Sequence, residues 1–205
     1  MLKYEIKDIY EFSEDELKEC FSVMSESRKN KISGFDNDTS KRKTLAGEWL
    51  ARKLLSDASG LPAKYFDIVP DTKGKLQILN FNELYINISH SKNMVTAAIC
   101  TEEVGVDLEI IRPFSPRVAK KICNENELLY IFGHIPSDSD FNKEYDSDTV
   151  FRFFEIWTAK EAYLKCIGEG ISSLSKLKAI DTNFPKFKKI GENYILHIVK
   201  NSDIQ

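Results

Sequence analysis

The stretch 151-FRFFEIWTAKEAYLKCIGEGI-171 combines a dense set of aromatic side chains with several charged ones. Trp157, Glu161 and Lys165 are spaced four residues apart, so a helix places them in one row on one side. The aromatic residues predict that this helix is largely buried, and a carboxylate on a buried helix needs a partner. The alternative interpretation is an ordinary Glu–Lys pair on a solvated helix surface.

A strand with two carboxylates lies upstream of this helix. In 104-VGVDLEII-111 the apolar side chains alternate with Asp107 and Glu109, so both carboxylates point to the same face. A solvated strand face commonly explains such a pair, but the strongly apolar neighbours favour a central strand. Together with Glu161 these residues form a candidate cluster of three carboxylates. Hard oxygen ligands of this kind are preferred by Mg²⁺ and would also hold Mn²⁺.

The composition is that of a globular protein with a substantial core. The 205 residues are 42% hydrophobic and 30% charged, with a formal net charge of −3. This balance argues against a general nucleic-acid-binding protein, which needs a basic field. The apolar runs are shorter than the roughly 18 residues of a membrane span, and the first residues resemble neither a signal nor a transit peptide. We therefore expect a cytoplasmic protein without a membrane segment.

The order of the expected elements predicts an α+β fold. Strands are expected at 2–9, 74–79, 84–89, 94–100, 104–111, 176–180 and 193–199, and helices at 13–24, 44–60, 117–132 and 151–171. The strands 94–100 and 104–111 are expected to form a hairpin across the turn 101–103. Strands and helices thus occur twice in similar order, which predicts two α+β halves, residues 1–102 and 103–205.

A Ser-His-Ser segment is a candidate for binding phosphate. In 86-INISHSKN-93, His90 follows an apolar strand and is flanked by Ser89 and Ser91. Hydroxyl groups and an imidazole at the end of a strand can bind a phosphate, although a lone histidine is more often structural. Lys160 and Lys165, beside the expected carboxylate cluster, would also suit a substrate that carries phosphate.

The order NISHS, GVDLE and WTAKEAYLK resembles the 4′-phosphopantetheinyl transferase superfamily, whose signature is a GVD-x-E strand followed by a W-x-x-K-E-A-x-x-K helix. The resemblance covers roughly residues 28–171. It implies the longer family type, a monomer in which two similar α+β halves form a pseudo-dimer. It further implies Mg²⁺-dependent transfer of 4′-phosphopantetheine from coenzyme A to a serine of an acyl or peptidyl carrier protein, with release of adenosine 3′,5′-bisphosphate.

The resemblance also implies roles for particular residues. Asp107, Glu109 and Glu161 match the magnesium ligands, and Lys165 matches the lysine that contacts the pyrophosphate and assists the leaving group. The base is either Glu161, acting directly or through water, or Glu127 in 124-NENELL-129. The candidates for binding coenzyme A are Lys31, Lys43, Lys73, Lys75, Ser89, His90, Lys160 and Lys165.

Two other kinds of function are alternatives to the transferase. A hydrolase that cleaves coenzyme A or a nucleotide would need a positioned water and no protein partner. A protein that only binds carrier proteins would have no need for the motif carboxylates or for Lys165. One departure from the family concerns the Lys-Gly-Lys-Pro turn, in which Leu76 stands in place of the proline. The geometry of that turn is therefore less fixed.

Overall fold

In the computed structural model, which describes residues 1–169, 177–180, 188–191 and 193–204, the chain has the predicted α+β architecture. Its α-helices are α1 (Glu14–Val23), α2 (Glu26–Ser33), α3 (Asp38–Ser59), α4 (Pro116–Ile122), α5 (Glu125–Phe132) and α6 (Ser147–Cys166). Its strands are β1 (Leu2–Asp8), β2 (Ile68–Pro70), β3 (Leu76–Ile78), β4 (Tyr85–Ser91), β5 (Met94–Cys100), β6 (Val104–Ile110), β7 (Lys188–Ile190) and β8 (Tyr194–Lys200).

Capping residues explain where several of these helices begin and end. Ser13 and Glu16 exchange hydrogen bonds between side chain and backbone at the start of α1, which satisfies amide groups that the helix itself leaves unpaired. The basic segment 26–43 forms α2 and the first turns of α3. Helix α3 ends at Gly60, whose φ of 75° is a left-handed conformation that glycine adopts without steric cost.

The first sheet is antiparallel, has the order β1–β5–β4 and packs against α3. The helix approaches the sheet closely at Gly47, because a Cβ atom there would lie 2.7 Å from a methyl group of Ile88. The buried side chains between α3 and the sheet include Leu50, Val95 and Ile99. This layer forms the hydrophobic core of the N-terminal part of the chain.

The second sheet is also antiparallel, has the order β6–β8–β7 and packs against α6. Gly105 of β6 lies directly beneath this helix, since a Cβ atom at this position would be 1.9 Å from the carbonyl oxygen of Ala162. Any larger residue would push α6 away from the strand. The glycine of the GVDLE segment therefore has a packing role, which fixes the distance between β6 and α6.

The strand pairing differs from the sequence prediction at β5 and β6. These strands do not form a hairpin, because β5 pairs with β1 and β4 whereas β6 pairs with β8. The connecting residues 101–103 pass from one sheet to the other: the Thr101 amide donates to the Met1 carbonyl, and the Glu103 carbonyl accepts from Asn201. The expected strand 176–180 is also wrong where it is described, since residues 177–180 form a helical turn; Lys176 lies outside the described residues.

The two sheets meet edge to edge along β4 and β6. Instead of a backbone ladder, side chains of β4 accept hydrogen bonds from backbone amides of β6, at distances of 3.0, 3.2 and 3.0 Å. The pairs are Asn87 with Val106, Ser89 with Leu108, and Ser91 with Ile110. We call this arrangement the seam. It stays a prediction that the chain divides into two halves, residues 1–102 and 103–205, and that these halves form a pseudo-dimer.

None of the helices in the described part of the chain is both long and apolar enough to cross a bilayer.

Candidate active site

A pocket of about 360 Å³ opens at the seam, between β4, β6 and α6. The row predicted on α6 lies along it, since Trp157, Glu161 and Lys165 all face this pocket. Its other lining residues are Ile88, Ser89, His90, Asp107 and Glu109. We call it the acidic pocket. Asp107 and Glu109 of β6 and Glu161 of α6 therefore line the same pocket, in agreement with the candidate cluster.

Asp107 is held by one of its two carboxylate oxygens. Its Oδ1 accepts hydrogen bonds from Lys165 Nζ at 2.7 Å and from Ser89 Oγ at 3.0 Å. The Lys165 ammonium also donates to Ser89 Oγ and to the Val106 carbonyl. The second oxygen, Oδ2, is buried and has no hydrogen-bond partner among the described residues. A buried carboxylate oxygen without a donor is costly, so this atom is well placed to receive a positively charged ligand.

Glu161 is the most strongly perturbed carboxyl group of the pocket. Its pKa is raised to about 7, chiefly by burial and then by the negative charge of Asp107, with a smaller contribution from Glu109, while Lys165 acts in the opposite direction. Its Oε1, like Asp107 Oδ2, is buried without a hydrogen-bond partner in the described part of the chain. The fold thus holds Glu161 in a place where its ionised form is disfavoured unless a cation is present.

The donor set of the acidic pocket fits a hard divalent cation. Three carboxylates line it, and two of them carry buried oxygens that lack partners within the described residues. No three His, Cys, Asp or Glu side chains of the described chain stand close enough together to form a ready-made metal cage. Lys165 instead provides the positive charge beside Asp107. Oxygen donors without sulfur or imidazole favour Mg²⁺ or Mn²⁺ over zinc or copper.

A second pocket of about 280 Å³ adjoins the first and shares Ile88, His90 and Lys165 with it. We call it the basic pocket, because six cationic side chains line it. They are Arg28, Lys31, Lys43, Lys73, Lys75 and Lys165. Such a concentration of positive charge on a protein of net charge −3 suits a ligand with several phosphates.

His90 lies where the two pockets meet. Burial lowers the pKa of its imidazole below the usual value, and the neighbouring charges of Lys43, Lys165 and Lys31 lower it further. The ring is therefore neutral at physiological pH. A neutral imidazole binds phosphate through a hydrogen bond rather than through an ion pair.

Lys75 lines the basic pocket, but its ammonium is already bonded within the chain. It donates to the Glu103 carboxylate and to the carbonyl oxygen of Cys166 at the end of α6. This lysine consequently ties the turn between β2 and β3 to the segment that connects the two sheets. Lys73, two residues earlier, is exposed and leaves its charge available to a ligand.

Two predicted site residues lie away from both pockets. The Lys160 ammonium is fully buried and donates to Glu127 at 2.6 Å, to the Ile122 carbonyl at 2.9 Å and to the Leu177 carbonyl at 2.7 Å. Because this side chain is fully buried and lines neither pocket, the structure contradicts the expectation that Lys160 binds a substrate phosphate. Glu127 is buried beside it and also accepts from the Asn124 amide as part of the cap of α5. This geometry gives Glu127 a structural role and does not support its use as the base.

Some residues at the site were not predicted as functional. Arg28 of α2 lines the basic pocket, and Glu48 holds it there through a 2.9 Å ion pair. Asn87 and Ser91 form the seam. A signal for them was present, because 86-INISHS-91 alternates apolar and polar residues, with Asn87, Ser89 and Ser91 on one face of the strand.

Comparison with known proteins identifies the family. The model of the 4′-phosphopantetheinyl transferase superfamily matches residues 103–200. The 4′-phosphopantetheinyl transferase HetI of a Nostoc species is 30% identical over 174 residues, which cover 80% of this chain and 68% of that protein. The chain belongs to the 4′-phosphopantetheinyl transferase superfamily.

Two further relatives carry the same family name. The 4′-phosphopantetheinyl transferase gsp of Aneurinibacillus migulanus is 32% identical over 63% of this chain and 49% of its own length. The 4′-phosphopantetheinyl transferase Sfp of Bacillus subtilis is 26% identical over 78% of this chain and 67% of its own length. The chain thus spans from about half to about two thirds of the length of the curated relatives it matches.

A crystal structure of a holo-(acyl-carrier-protein) synthase from Bacillus anthracis in complex with CoA is also similar to the chain. It is 20% identical, with a TM-score of 0.40, over 48% of this chain and 91% of its own.

Proposed function

We propose that the protein transfers the 4′-phosphopantetheine group of coenzyme A to a serine hydroxyl of an acyl or peptidyl carrier protein and releases adenosine 3′,5′-bisphosphate. The observation that carries this proposal is that the basic and acidic pockets adjoin and share His90 and Lys165. Coenzyme A has a nucleotide with a 3′-phosphate at one end and a pyrophosphate further along. A basic pocket beside a carboxylate pocket matches that order of charges.

In this proposal the basic pocket binds the nucleotide phosphates. Lys31, Lys43 and Lys73 supply positive charge, and the neutral His90 supplies a hydrogen bond. The Ser89 hydroxyl, expected from the sequence to bind coenzyme A, already donates its one proton to Asp107 and therefore supports the site by holding Asp107 and Lys165. Arg28 belongs to the same set, because its guanidinium lines the pocket while Glu48 fixes its orientation. Lys75 contributes by holding the β2–β3 turn in place rather than by a free charge.

Asp107, Glu109 and Glu161 are the residues that would hold Mg²⁺, or Mn²⁺ with the same donors. The cation, when bound, neutralises charge on the pyrophosphate. Lys165 offers a second positive charge at the junction of the pockets, where it can offset the charge that develops on the departing phosphate. The side chains of β6 and α6 thus orient the pyrophosphate between the two pockets.

The chemical step is a displacement at phosphorus. The serine oxygen forms a bond to the phosphorus that carries pantetheine, and the bond from this phosphorus to the bridging oxygen breaks. The bridging oxygen leaves with the nucleotide. The serine proton goes to Glu161, directly or through one water, because this carboxylate lines the acidic pocket beside Lys165, where the reacting phosphorus would lie.

The same proposal includes the setting of the enzyme. All four cysteines are free and buried, which suits a reducing compartment such as the cytoplasm. The seam between β4 and β6 lies within one chain, which supports a monomer built of two α+β halves. Carrier proteins are typically acidic, and cationic side chains around the pockets would attract them.

Intact mass spectrometry of an apo carrier protein incubated with the protein, coenzyme A and Mg²⁺ tests this function. We expect the carrier protein to gain one phosphopantetheine group and an equal amount of adenosine 3′,5′-bisphosphate to appear. Both products should form far more slowly with Glu161→Gln. Cleavage of coenzyme A without any change in the carrier protein would instead establish a hydrolase. Intact coenzyme A with several acyl and peptidyl carrier proteins would contradict the proposal.

A further inference from the structure

The two carboxylates of β6 are held in the same manner, two residues apart. Asp107 Oδ1 accepts one hydrogen bond from a serine hydroxyl, Ser89, and one from a cation, Lys165. Glu109 Oε2 likewise accepts one from a serine hydroxyl, Ser91, at 3.0 Å and one from a cation, Arg112, at 3.0 Å. In both residues the two donors share a single oxygen, so the other oxygen lies outside these contacts.

Ser91 is tied to the backbone of β6 as well as to the side chain of Glu109. Its Oγ accepts a hydrogen bond from the Ile110 amide at 3.0 Å while it donates to Glu109 Oε2. A hydroxyl group has one proton to donate, so an acceptor contact with the amide directs that proton toward the carboxylate. Because Ser91 is buried, solvent competes little for either bond.

We propose that Ser91 is a positioning residue that aims Glu109 into the acidic pocket. The inference rests on the proposed function, in which Glu109 is one of the carboxylates that hold a divalent cation. The backbone bond fixes the serine on β6, the hydroxyl proton fixes one carboxylate oxygen, and Arg112 holds that oxygen from the other side. The remaining oxygen is then directed to the cation. Donors behind a metal ligand set the orientation of that ligand and raise its affinity.

Asn87 provides a matched control for this role. Like Ser91 it is buried on β4, and its Oδ1 accepts a backbone hydrogen bond from β6, at the Val106 amide. It differs from Ser91 in having no hydrogen bond to a carboxylate of β6. Replacement of either residue by alanine therefore removes one acceptor of the seam, but only Ser91→Ala also releases Glu109.

A Mn²⁺ titration of the full chain, followed by electron paramagnetic resonance and repeated by calorimetry, tests the inference without any measurement of activity. We expect Ser91→Ala to bind Mn²⁺ about 10-fold more weakly than the wild-type protein, since loss of a donor behind a metal ligand costs on this order. Asn87→Ala should bind Mn²⁺ like the wild-type protein, although both variants melt at lower temperature. Ser91→Thr keeps the hydroxyl and should restore the affinity.

Equal Mn²⁺ affinity of Ser91→Ala and the wild-type protein would overturn the positioning role while leaving the metal site intact. Equal weakening by Asn87→Ala and Ser91→Ala would overturn it too, because the effect would then come from the seam as a whole. Absence of Mn²⁺ binding by the wild-type protein would refute the proposed metal site and this inference with it. Ser91→Cys, which has nearly the same size and a weaker donor, replaces the alanine variant if that variant does not fold.

Discussion

Helix α6 carries two lysines that each meet a carboxylate, and the two pairs have opposite surroundings. Lys160 and Glu127 lie in the core, where backbone carbonyls and a helix cap use their remaining hydrogen-bonding groups. Lys165 and Asp107 lie at the edge of the acidic pocket, where one oxygen of Asp107 has no partner in the described chain. A buried pair whose hydrogen bonds are all satisfied within the core is structural. A pair with an unsatisfied oxygen is ready to bind a ligand.

The largest effect on stability should follow removal of the buried lysine. We expect Lys160→Met to lower the free energy of unfolding by about 3–5 kcal/mol, because Glu127 loses its buried cation and two carbonyls lose a donor. Urea denaturation followed by circular dichroism measures this change. Lys165→Met, at the edge of the pocket, should cost much less. Equal stabilities of Lys160→Met and the wild-type protein would refute the structural role of the pair.

The largest effect on activity should follow neutralisation of Glu161. We expect Glu161→Gln to lower the turnover number about 10²- to 10³-fold or more, since one side chain supplies both a base and a metal ligand. The variant should nevertheless be at least as stable as the wild-type protein at pH 8 without metal. The reason is that the pKa of Glu161 is raised to about 7 in the folded protein. As pH rises from 4.5 through 7, the folded wild-type protein keeps the Glu161 proton longer than the unfolded protein does, so the wild-type protein loses stability and the glutamine variant does not.

Initial rates of carrier-protein modification and thermal melting, measured on the same preparation, check both parts of this prediction. A Glu161→Gln variant that is inactive because it is unfolded would not support the assignment. A folded variant with wild-type turnover would contradict it.

A smaller effect concerns His197 of β8, whose imidazole contacts Thr158 of α6. Its Nδ1 lies 2.7 Å from Thr158 Oγ1, and burial lowers the pKa of the imidazole to about 4. Between pH 6.5 and 4 the unfolded state therefore binds a proton that the folded state does not, so stability falls as pH falls. The loss from pH 7 to pH 5 should be roughly 2 kcal/mol. Urea melts across this range, compared with His197→Gln, measure it; identical pH profiles would contradict the assignment.

The smallest effect is expected at Lys73. This lysine is exposed at the rim of the basic pocket, so a contact with a phosphate of coenzyme A is screened by solvent. We expect Lys73→Ala to raise the KM for coenzyme A about threefold, with an unchanged turnover number. Lys64→Ala, an exposed lysine outside the pockets, is the control and should leave KM unchanged. An unchanged KM in Lys73→Ala would remove this residue from the proposed binding set.

Local sequence predicted most helices of this fold and much of the candidate site. Helix boundaries followed from capping residues such as Ser13 and Gly60, which act within a few residues of themselves. The α6 row of Trp157, Glu161 and Lys165 followed from helical periodicity. Glu161 was grouped with Asp107 and Glu109 because of their ligand type, and the resemblance then matched these three residues to magnesium ligands.

Other features depended on partners far away in sequence. β5 pairs with β1 as well as with the neighbouring β4, and β6 pairs with β8. β1 and β8 are each more than 80 residues away from these partners, and an alternating pattern is the same whichever strand it pairs with. Lys160 has the same charge as Lys165 but lies about 140° away around the helix, so periodicity places it outside the row of Trp157, Glu161 and Lys165. Only tertiary packing shows that it points to Ile122, Glu127 and Leu177. The alternating pattern placed Ser91 on the polar face of β4 but did not distinguish it from a solvated residue. Its contacts with Glu109 and Ile110 of β6 are made by its side chain rather than by backbone pairing, so no strand pattern predicts them.

The most direct test of this account compares turnover in Lys165→Met and Lys160→Met at a temperature well below the melting midpoints of both. Intact mass spectrometry of the carrier protein gives both rates per folded molecule. The account predicts that Lys165→Met loses about 10²-fold in turnover, while Lys160→Met stays within a few-fold of the wild-type protein. The opposite order, with a folded Lys160→Met inactive and Lys165→Met active, would contradict it.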